Sequence, residues 1–285
     1  MKMTNKRQTV NTVWIEATAT DIWPYVTTSN GWNGFLSDIA IIADGKEVIE
    51  LGDRLRLVIG ELMIRSQCVE YRKYNCITFD ESYAVILPNG QTWEYELLTS
   101  FVLEESADGS TRMTVTVDGY GEDEMMQWVH ECGEMGWRQS LLHLKNVIEL
   151  GLDLREAIFN YPRLGVLNYS ATEEQLGLQG LNGSGIRGNY IKTVYPNGPA
   201  HRAGLPSGVI VTELGGLAVP DYRRFVVALG RYYGKPGEVE LVYYDRGHRK
   251  STTANLTYDD QFTGMIDPNR VSREALSKDR MERSQ

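Results

Sequence analysis

From residue 52 to residue 118 the chain alternates apolar and polar residues with a period of two, and this pattern narrows what it can fold into. In GDRLRLVIG, Leu55, Leu57 and Ile59 share one face while Arg54 and Arg56 take the other. In QTWEYELLTSFVLEE, Trp93, Tyr95, Leu97, Phe101 and Leu103 lie together, with Glu94 and Glu96 turned away. STRMTVTVDG sets Met113, Val115 and Val117 against Arg112, Thr114 and Thr116. Successive side chains of a strand point to opposite faces, so runs of this kind predict a sheet with one covered face. Asn89-Gly90 and Asp108-Gly109 supply hairpin corners, which makes that sheet antiparallel.

The element that covers it follows directly. GEDEMMQWVHECGEMGWRQSLLHLKNVIELG opens on Glu122, Asp123 and Glu124 and closes on Gly151. Acids suit the positive end of a helix and glycine its stop. Met125, Val129, Cys132, Trp137, Leu141, Leu144 and Ile148 recur mostly at spacings of three and four, an apolar stripe along a long helix. Gly133 and Gly136 weaken it locally and predict a bend or a close approach. Upstream, TATDIWPYVTT predicts a short helix capped by Thr20 or Asp21, with Pro24 in its first turn.

The charge is uneven. The net value is −9; residues 1–155 hold 13 Lys+Arg and 24 Asp+Glu, a balance of −11, and residues 156–285 hold 16 and 14, a balance of +2. An acidic first half speaks against nucleic acid or an anionic membrane as its partner. All six tryptophans fall between Trp14 and Trp137, so the halves differ in core chemistry and two domains are expected. Cys68, Cys76 and Cys132 lack metal-ligand spacing and suit a reducing compartment. The first residues carry no apolar stretch of the kind a secretory signal has, and no run is long enough to span a bilayer. The expected location is cytoplasmic.

Residues 10–152 resemble the START-like, or SRPBCC, helix-grip family, in the branch similar to the C-terminal domain of the activator of the heat-shock-protein-90 ATPase. VWIEATATDIWPYVT near the start and GWRQSLLHLKNVIELG at the end of the long helix carry the resemblance. It implies a deep cavity between helix and sheet that holds an apolar or aromatic small molecule, lined by Trp93, Tyr95, Phe101, Met125, Trp128, Val129 and Trp137. No catalytic constellation accompanies it. His130 and Cys132 are two apart on a helix and do not face each other, and His130 reads as a surface, packing or rim residue. Glu122 to Glu124 read as a solvated cap, because no oxygen-rich loop surrounds them to make a metal site.

The second half alternates short strands with helices: RLGVLNYS, then ATEEQLGLQG as a loop or helical turn, the strand GIRGNYIKTVY, the turn and short helix PNGPAHRAGL, the strand VIVTELGG, the helix VPDYRRFVVALGRYY, and a closing pair EVELVYYDRG and KSTTANLTY. It resembles a PDZ domain in the circular order of bacterial proteases and their accessory proteins. The matching residues are Arg163-Leu164-Gly165-Val166, Tyr190 to Val194, Asn197 to Leu205, Val209 to Gly216, the helix near Asp221, and Gly234-Lys235-Pro236-Gly237. Ser207-Gly208 stands where such domains usually carry Gly-Asp. The resemblance implies a partner's C-terminal peptide added as a strand beside residues 166–169. Its carboxylate would sit on the Arg163, Leu164, Gly165, Val166 loop, with Tyr222 and Val226 on the facing helix. The other reading of that loop is a strand-turn used only for packing or dimerisation.

The expected fold class is α+β: a helix-grip domain, an antiparallel sheet wrapped on a long C-terminal helix, followed by a PDZ-like small β-barrel with two helices. The expected boundaries are 1–152, a connector at 153–162 ending on Asn160-Tyr161-Pro162, 163–258, and a polar tail at 259–285. The expected function is non-enzymatic: a small apolar ligand and a C-terminal peptide as partners, no nucleic acid, no membrane, no cofactor and no metal, with a homo-oligomer left open. The rivals are an enzyme on an aromatic substrate, for which His130 or Glu131 would serve, and a chaperone accessory.

Overall fold

The computed structural model describes residues 7–60, 62–86, 92–159, 162–235 and 237–258, together with Ala275, Lys278 and Glu282. The Asn89-Gly90 corner, Asn160 and Tyr161 of the connector, Pro236 and the remainder of the tail lie outside the described residues. Among the described residues, 7–158 with Ala275, Lys278 and Glu282 form one compact unit and 159–258 the other.

The first unit runs β1 (Arg7–Ile15), α1 (Ala19–Thr27), α2 (Ser29–Phe35), β2 (Ile39–Ile42), β3 (Arg54–Ile59), β4 (Leu62–Arg72), β5 (Cys76–Ile86), β6 (Thr92–Glu105), β7 (Thr111–Tyr120) and α3 (Glu124–Leu150). The seven strands form one antiparallel sheet in the order β1-β7-β6-β5-β4-β3-β2. The N-terminal strand therefore closes on the last one, and α3 packs along β1 and β7 while touching α2. That is the helix-grip arrangement. Its core joins Ile22, Trp32 and Phe35 of the short helices to Phe79, Phe101 and Val115 of the sheet and to Leu141 and Leu144 of α3.

Local details refine the expected helices. The α1 cap is Thr18, which accepts from the Asp21 amide at 3.2 Å, while Thr18 Oγ1 donates to Asp21 Oδ2 at 2.7 Å. The cap lies before both expected residues, so Pro24 falls in the second turn and the helix stops at Thr27. Gly31 makes the α1–α2 junction: a Cβ there would lie 2.0 Å from the Pro24 carbonyl oxygen. Asp123 caps α3 by accepting from the amides of Met125 and Met126, and Gly151, at φ 66°, ends it. Gly133 is the close approach, where a Cβ would come within 2.9 Å of Tyr120 Oη; nothing lies within 4 Å at Gly136. The buried positions of α3 include Met126, Val129, Met135, Leu141 and Leu144, so its first half is turned from the expected stripe, with Met125 and Cys132 only half-buried.

Three α3 side chains cross to the main chain of the edge strand β1 and of the residue that follows it. His130 Nε2 donates to the Gln8 carbonyl at 3.3 Å, Lys145 Nζ donates to the Trp14 carbonyl at 2.8 Å, and Glu149 Oε1 accepts from the Glu16 amide at 2.7 Å.

Beyond α4 (Arg155–Phe159), the second unit holds β8 (Val166–Ser170), α5 (Glu173–Leu178), β9 (Asn189–Val194), α6 (Pro199–Arg202), β10 (Ile210–Leu214), β11 (Leu217–Ala218), α7 (Tyr222–Gly230), β12 (Glu238–Asp245) and β13 (His248–Asn255). Its sheet has the order β13-β12-β10-β9-β8, with β11 folded back on β10. Among the described residues this unit holds three helices beyond α4 where two were expected. The extra one, α5, forms because Thr172 and Gln175 make a reciprocal capping box. Leu164, Ile191, Val211, Leu214, Phe225 and Leu241 form the centre of this core.

Candidate functional site

In the first unit the inner face of the sheet carries an unexpected acid. Period-2 alternation puts Ile77, Phe79, Glu81, Tyr83 and Val85 of β5 on the apolar side. Glu81 is 5% exposed. Its carboxyl receives Ser66 Oγ of β4 on Oε1 at 3.1 Å, and on Oε2 both Tyr83 Oη at 2.6 Å and Thr99 Oγ1 of β6 at 2.5 Å. Burial pushes this carboxyl above the usual carboxylate range, and the Thr99, Tyr83 and Ser66 hydroxyls oppose that shift. The same burial raises the Tyr83 phenol well above its ordinary value, so it donates as a neutral hydroxyl.

Tyr83 links the acid to an aromatic column. Its ring is stacked on Tyr95 at 5.0 Å and 6°, and Tyr95 meets Trp93 at 4.8 Å. Trp93 and Tyr95 pack against the core yet remain only partly buried, as do Trp128 and Trp137 of α3. Of the other expected lining residues, Phe101 is sealed from solvent with its ring against Trp32, Phe79 and Trp137. Val129 is buried in the same core, and Met125 is half-buried outside it. His130 lies edge-on to the Tyr120 ring at 4.8 Å and on the β1 main chain, so it serves the helix–strand contact. Glu131 is half-buried and accepts from Gln127 Nε2 at 3.3 Å.

A second ionisable group is buried near the end of α3. His143 is fully enclosed; its Nδ1 accepts from the Leu154 amide at 3.4 Å. Nε2 lies 3.3 Å from Asp153 Oδ1 without the alignment of a hydrogen bond. Burial lowers the His143 pKa despite the opposing pull of Asp153. Arg155 holds Asp153 down at about 2 and donates to the carbonyls of Asn33 and Ser37, fixing this segment onto the end of α2. The Cys68 thiol is pushed up to about 11 by burial, which makes it a packing residue. Among the described residues no group of three or more His, Cys, Asp or Glu is placed to hold a metal ion. No described helix is long and apolar enough to cross a membrane.

In the second unit, β8 is the edge strand of the sheet and α7 packs beside it. The Tyr222 amide at the start of α7 donates to Ser170 Oγ at 3.0 Å, and buried Asn189 ties the loop before α7 to the sheet through the carbonyls of Val219 and Asp221. Leu164 is buried, Val166 half-buried, and Gly165 takes φ 77°, a left-handed value that favours glycine. The Leu164 carbonyl accepts from the Ala200 amide at 2.9 Å and the Gly165 carbonyl from the Tyr195 amide at 3.0 Å. In a trans peptide the N–H points opposite to the C=O. The amides of Gly165 and Val166 therefore point away from the Asn197-Gly198-Pro199 corner. Arg163 bridges to Thr257, Tyr222 is half-buried, and Val226 is buried on α7.

The first unit is thus a mixed α+β domain of helix-grip topology, defined by its own strand order and helix placement. No protein-family model matches the chain, and no curated protein matches it. Solved structures resemble it at low identity. A structural-genomics protein from Mesorhizobium loti is 15% identical, with 50% of this chain and 97% of that one covered at a TM-score of 0.42. The Aha1 dimer from Colwellia psychrerythraea is 17% identical over 51% and 98% of the two chains, at 0.39. DynU16, a protein of the dynemicin biosynthetic locus, is 13% identical over 96% and 93%, at 0.45.

Proposed function

We propose that this chain is a two-part binding protein. The first unit takes an apolar or aromatic small molecule between α3 and the sheet, and the second docks the C-terminal end of a partner polypeptide beside β8, as a PDZ domain does. The observation that carries the first part is the incomplete burial of Trp93, Tyr95, Trp128 and Trp137, all packed against the core. Large aromatic rings left part-exposed against a core, with a few polar groups nearby, make a surface suited to an apolar guest. Peptide docking is supported by the Gly165 and Val166 amides, both directed away from the corner that binds their neighbouring carbonyls. An edge strand adds main-chain hydrogen bonds to an extended peptide, and converging amides suit its carboxylate.

Native mass spectrometry of the purified chain, and titration with a naphthalene probe read by tryptophan fluorescence, test the first part. The absence of both a retained molecule and probe binding would sink it. A peptide array with free and amidated C-termini tests the second, with Gly165→Val as control. Equal binding of free and amidated ends would remove carboxylate docking. A second reading, an enzyme acting on the guest, is favoured by Glu81, an ionisable group on the inner face. It is separated from pure binding by incubating any retained molecule with wild type and Glu81→Gln and looking for Glu81-dependent product.

A further inference from the structure

We propose that the Glu81 carboxylate anchors a protonated amine carried on a flat apolar or aromatic body. The proposal rests on the small-molecule reading of the first unit and names the chemistry of its guest.

Three strands each contribute one hydroxyl to this one carboxyl, and all three hydroxyls donate: Ser66 from β4, Tyr83 from β5 and Thr99 from β6. The contacts to Oε2, at 2.6 and 2.5 Å, have the length of about 2.5–2.7 Å typical of O–H···O⁻ bonds. A carboxylate accepts from all three hydroxyls at once, whereas a neutral acid would have to turn one of them, such as Ser66, to take its proton. The anion nevertheless lacks a counter-charge: among the described residues no basic side chain pairs with Glu81, and the neighbouring Asp80 carboxyl adds a like charge. Two donors fill Oε2, whereas Oε1 receives Ser66 alone. A carboxylate has about four lone-pair sites, so the remaining capacity is on Oε1.

The surroundings select the donor. The Tyr83 ring, whose hydroxyl holds the carboxyl, stacks on Tyr95, and Tyr95 leans on Trp93, so a column of aromatic faces begins at the acid and ends part-exposed. Aromatic faces attract cations, and more strongly when water is excluded. A buried carboxylate beside such a column complements an ammonium group better than a neutral alcohol, and repels a carboxylate. The excess of 24 acidic over 13 basic residues in 1–155 adds long-range attraction for a cation.

The test titrates the full chain at pH 8 with 2-naphthylmethylamine, 2-naphthalenemethanol and 2-naphthaldehyde, read by calorimetry. Wild type is expected to bind the amine at least tenfold more tightly than the alcohol. In Glu81→Gln, checked for folding by circular dichroism, that preference should fall to near unity. Lowering the pH should abolish the amine preference in wild type as Glu81 gains its proton. Ser66→Ala, which removes one stabilising donor, should move that loss to higher pH, and it keeps the proposal testable should Glu81→Gln fail to fold. Equal binding of amine and alcohol, or a preference that survives in Glu81→Gln, overturns the amine proposal and leaves the small-molecule reading standing. Tighter binding of the aldehyde, a pure acceptor, overturns it in favour of a protonated Glu81. Binding of none of the three overturns both.

Discussion

Replacing Glu81 by glutamine should stabilise the unliganded first unit, and increasingly so as the pH rises. The Gln amide has nearly the shape of the carboxyl: its oxygen can accept from Tyr83 and Thr99, and its NH2 can donate to Ser66 Oγ once that hydroxyl turns. The hydrogen bonds at this site then survive while the buried charge disappears. In wild type the folded carboxyl titrates above its unfolded value of about 4.3. Between those two values the unfolded chain has lost a proton that the folded chain keeps. Stability therefore falls as pH rises through the window, by up to about 1.4 kcal/mol per pH unit. Glu81→Gln lacks this loss, so its advantage should start near zero around pH 4.3, grow across the window, and level off above the folded pKa. Each unit of upward shift contributes about 1.4 kcal/mol to the plateau. All six tryptophans belong to the first unit, so urea unfolding followed by tryptophan fluorescence isolates it from the second. A difference that is flat in pH, or that turns against the variant at high pH, would refute the reasoning.

Two further outcomes follow from other sites. Gly31→Ala drives a Cβ onto the backbone of Pro24 and Tyr25 and should cost about 3 kcal/mol, the upper end for overpacking, in the same assay. Gly34→Ala, whose nearest neighbour is a Tyr25 ring carbon at 3.6 Å, should be neutral or gain up to about 1 kcal/mol; equal effects would contradict the packing account. His143 is held neutral by burial, so the unfolded chain takes up a proton below about pH 6.5 that the folded chain resists. Wild-type stability should accordingly fall as pH drops from there through the folded pKa, and His143→Gln should remove that part of the slope; an unchanged slope would exclude the histidine as its source.

Much of the first unit can be read from its residues because its signals are periodic and local. Leu55, Leu57 and Ile59, or Met113, Val115 and Val117, announce their strands, and Asp123 and Gly151 bound the long helix by capping chemistry that needs no tertiary information. The candidate acid was present in the same pattern. Glu81 stands in phase with Ile77, Phe79, Tyr83 and Val85, and an acid on the apolar parity of a strand is a signal in itself. Its partners are less accessible to such reading: Ser66 and Thr99 meet it only through strand register. Asp153 and Arg155 likewise reach His143 and α2 by a turn beyond the helix, which no spacing rule describes. The apolar stripe of α3 slips in its first half for a related reason, since Met126 and Met135 are buried while Met125 and Cys132 stay half-buried. In the second unit the Leu164-Gly165-Val166 loop is legible as a glycine-dependent turn, but the direction of its amides depends on Tyr195 and Ala200, about thirty residues away.

The contact between β1 and α3 also has a consequence in time. Trp14 pairs with Arg112, and the Trp14 carbonyl and Glu16 amide wait for Lys145 and Glu149, so everything that secures the first strand is synthesised about a hundred residues or more after it. At roughly 5–20 residues per second of translation, β1 spends on the order of 5–25 s outside the ribosome before its partners exist. During that interval Val13 and Ile15 are carried by a chain with nothing to bury them, whereas Val10 and Trp14 stay exposed even in the finished fold. The first strand to be made is the last that can be secured, and the helix that fastens it is also the element that completes the domain.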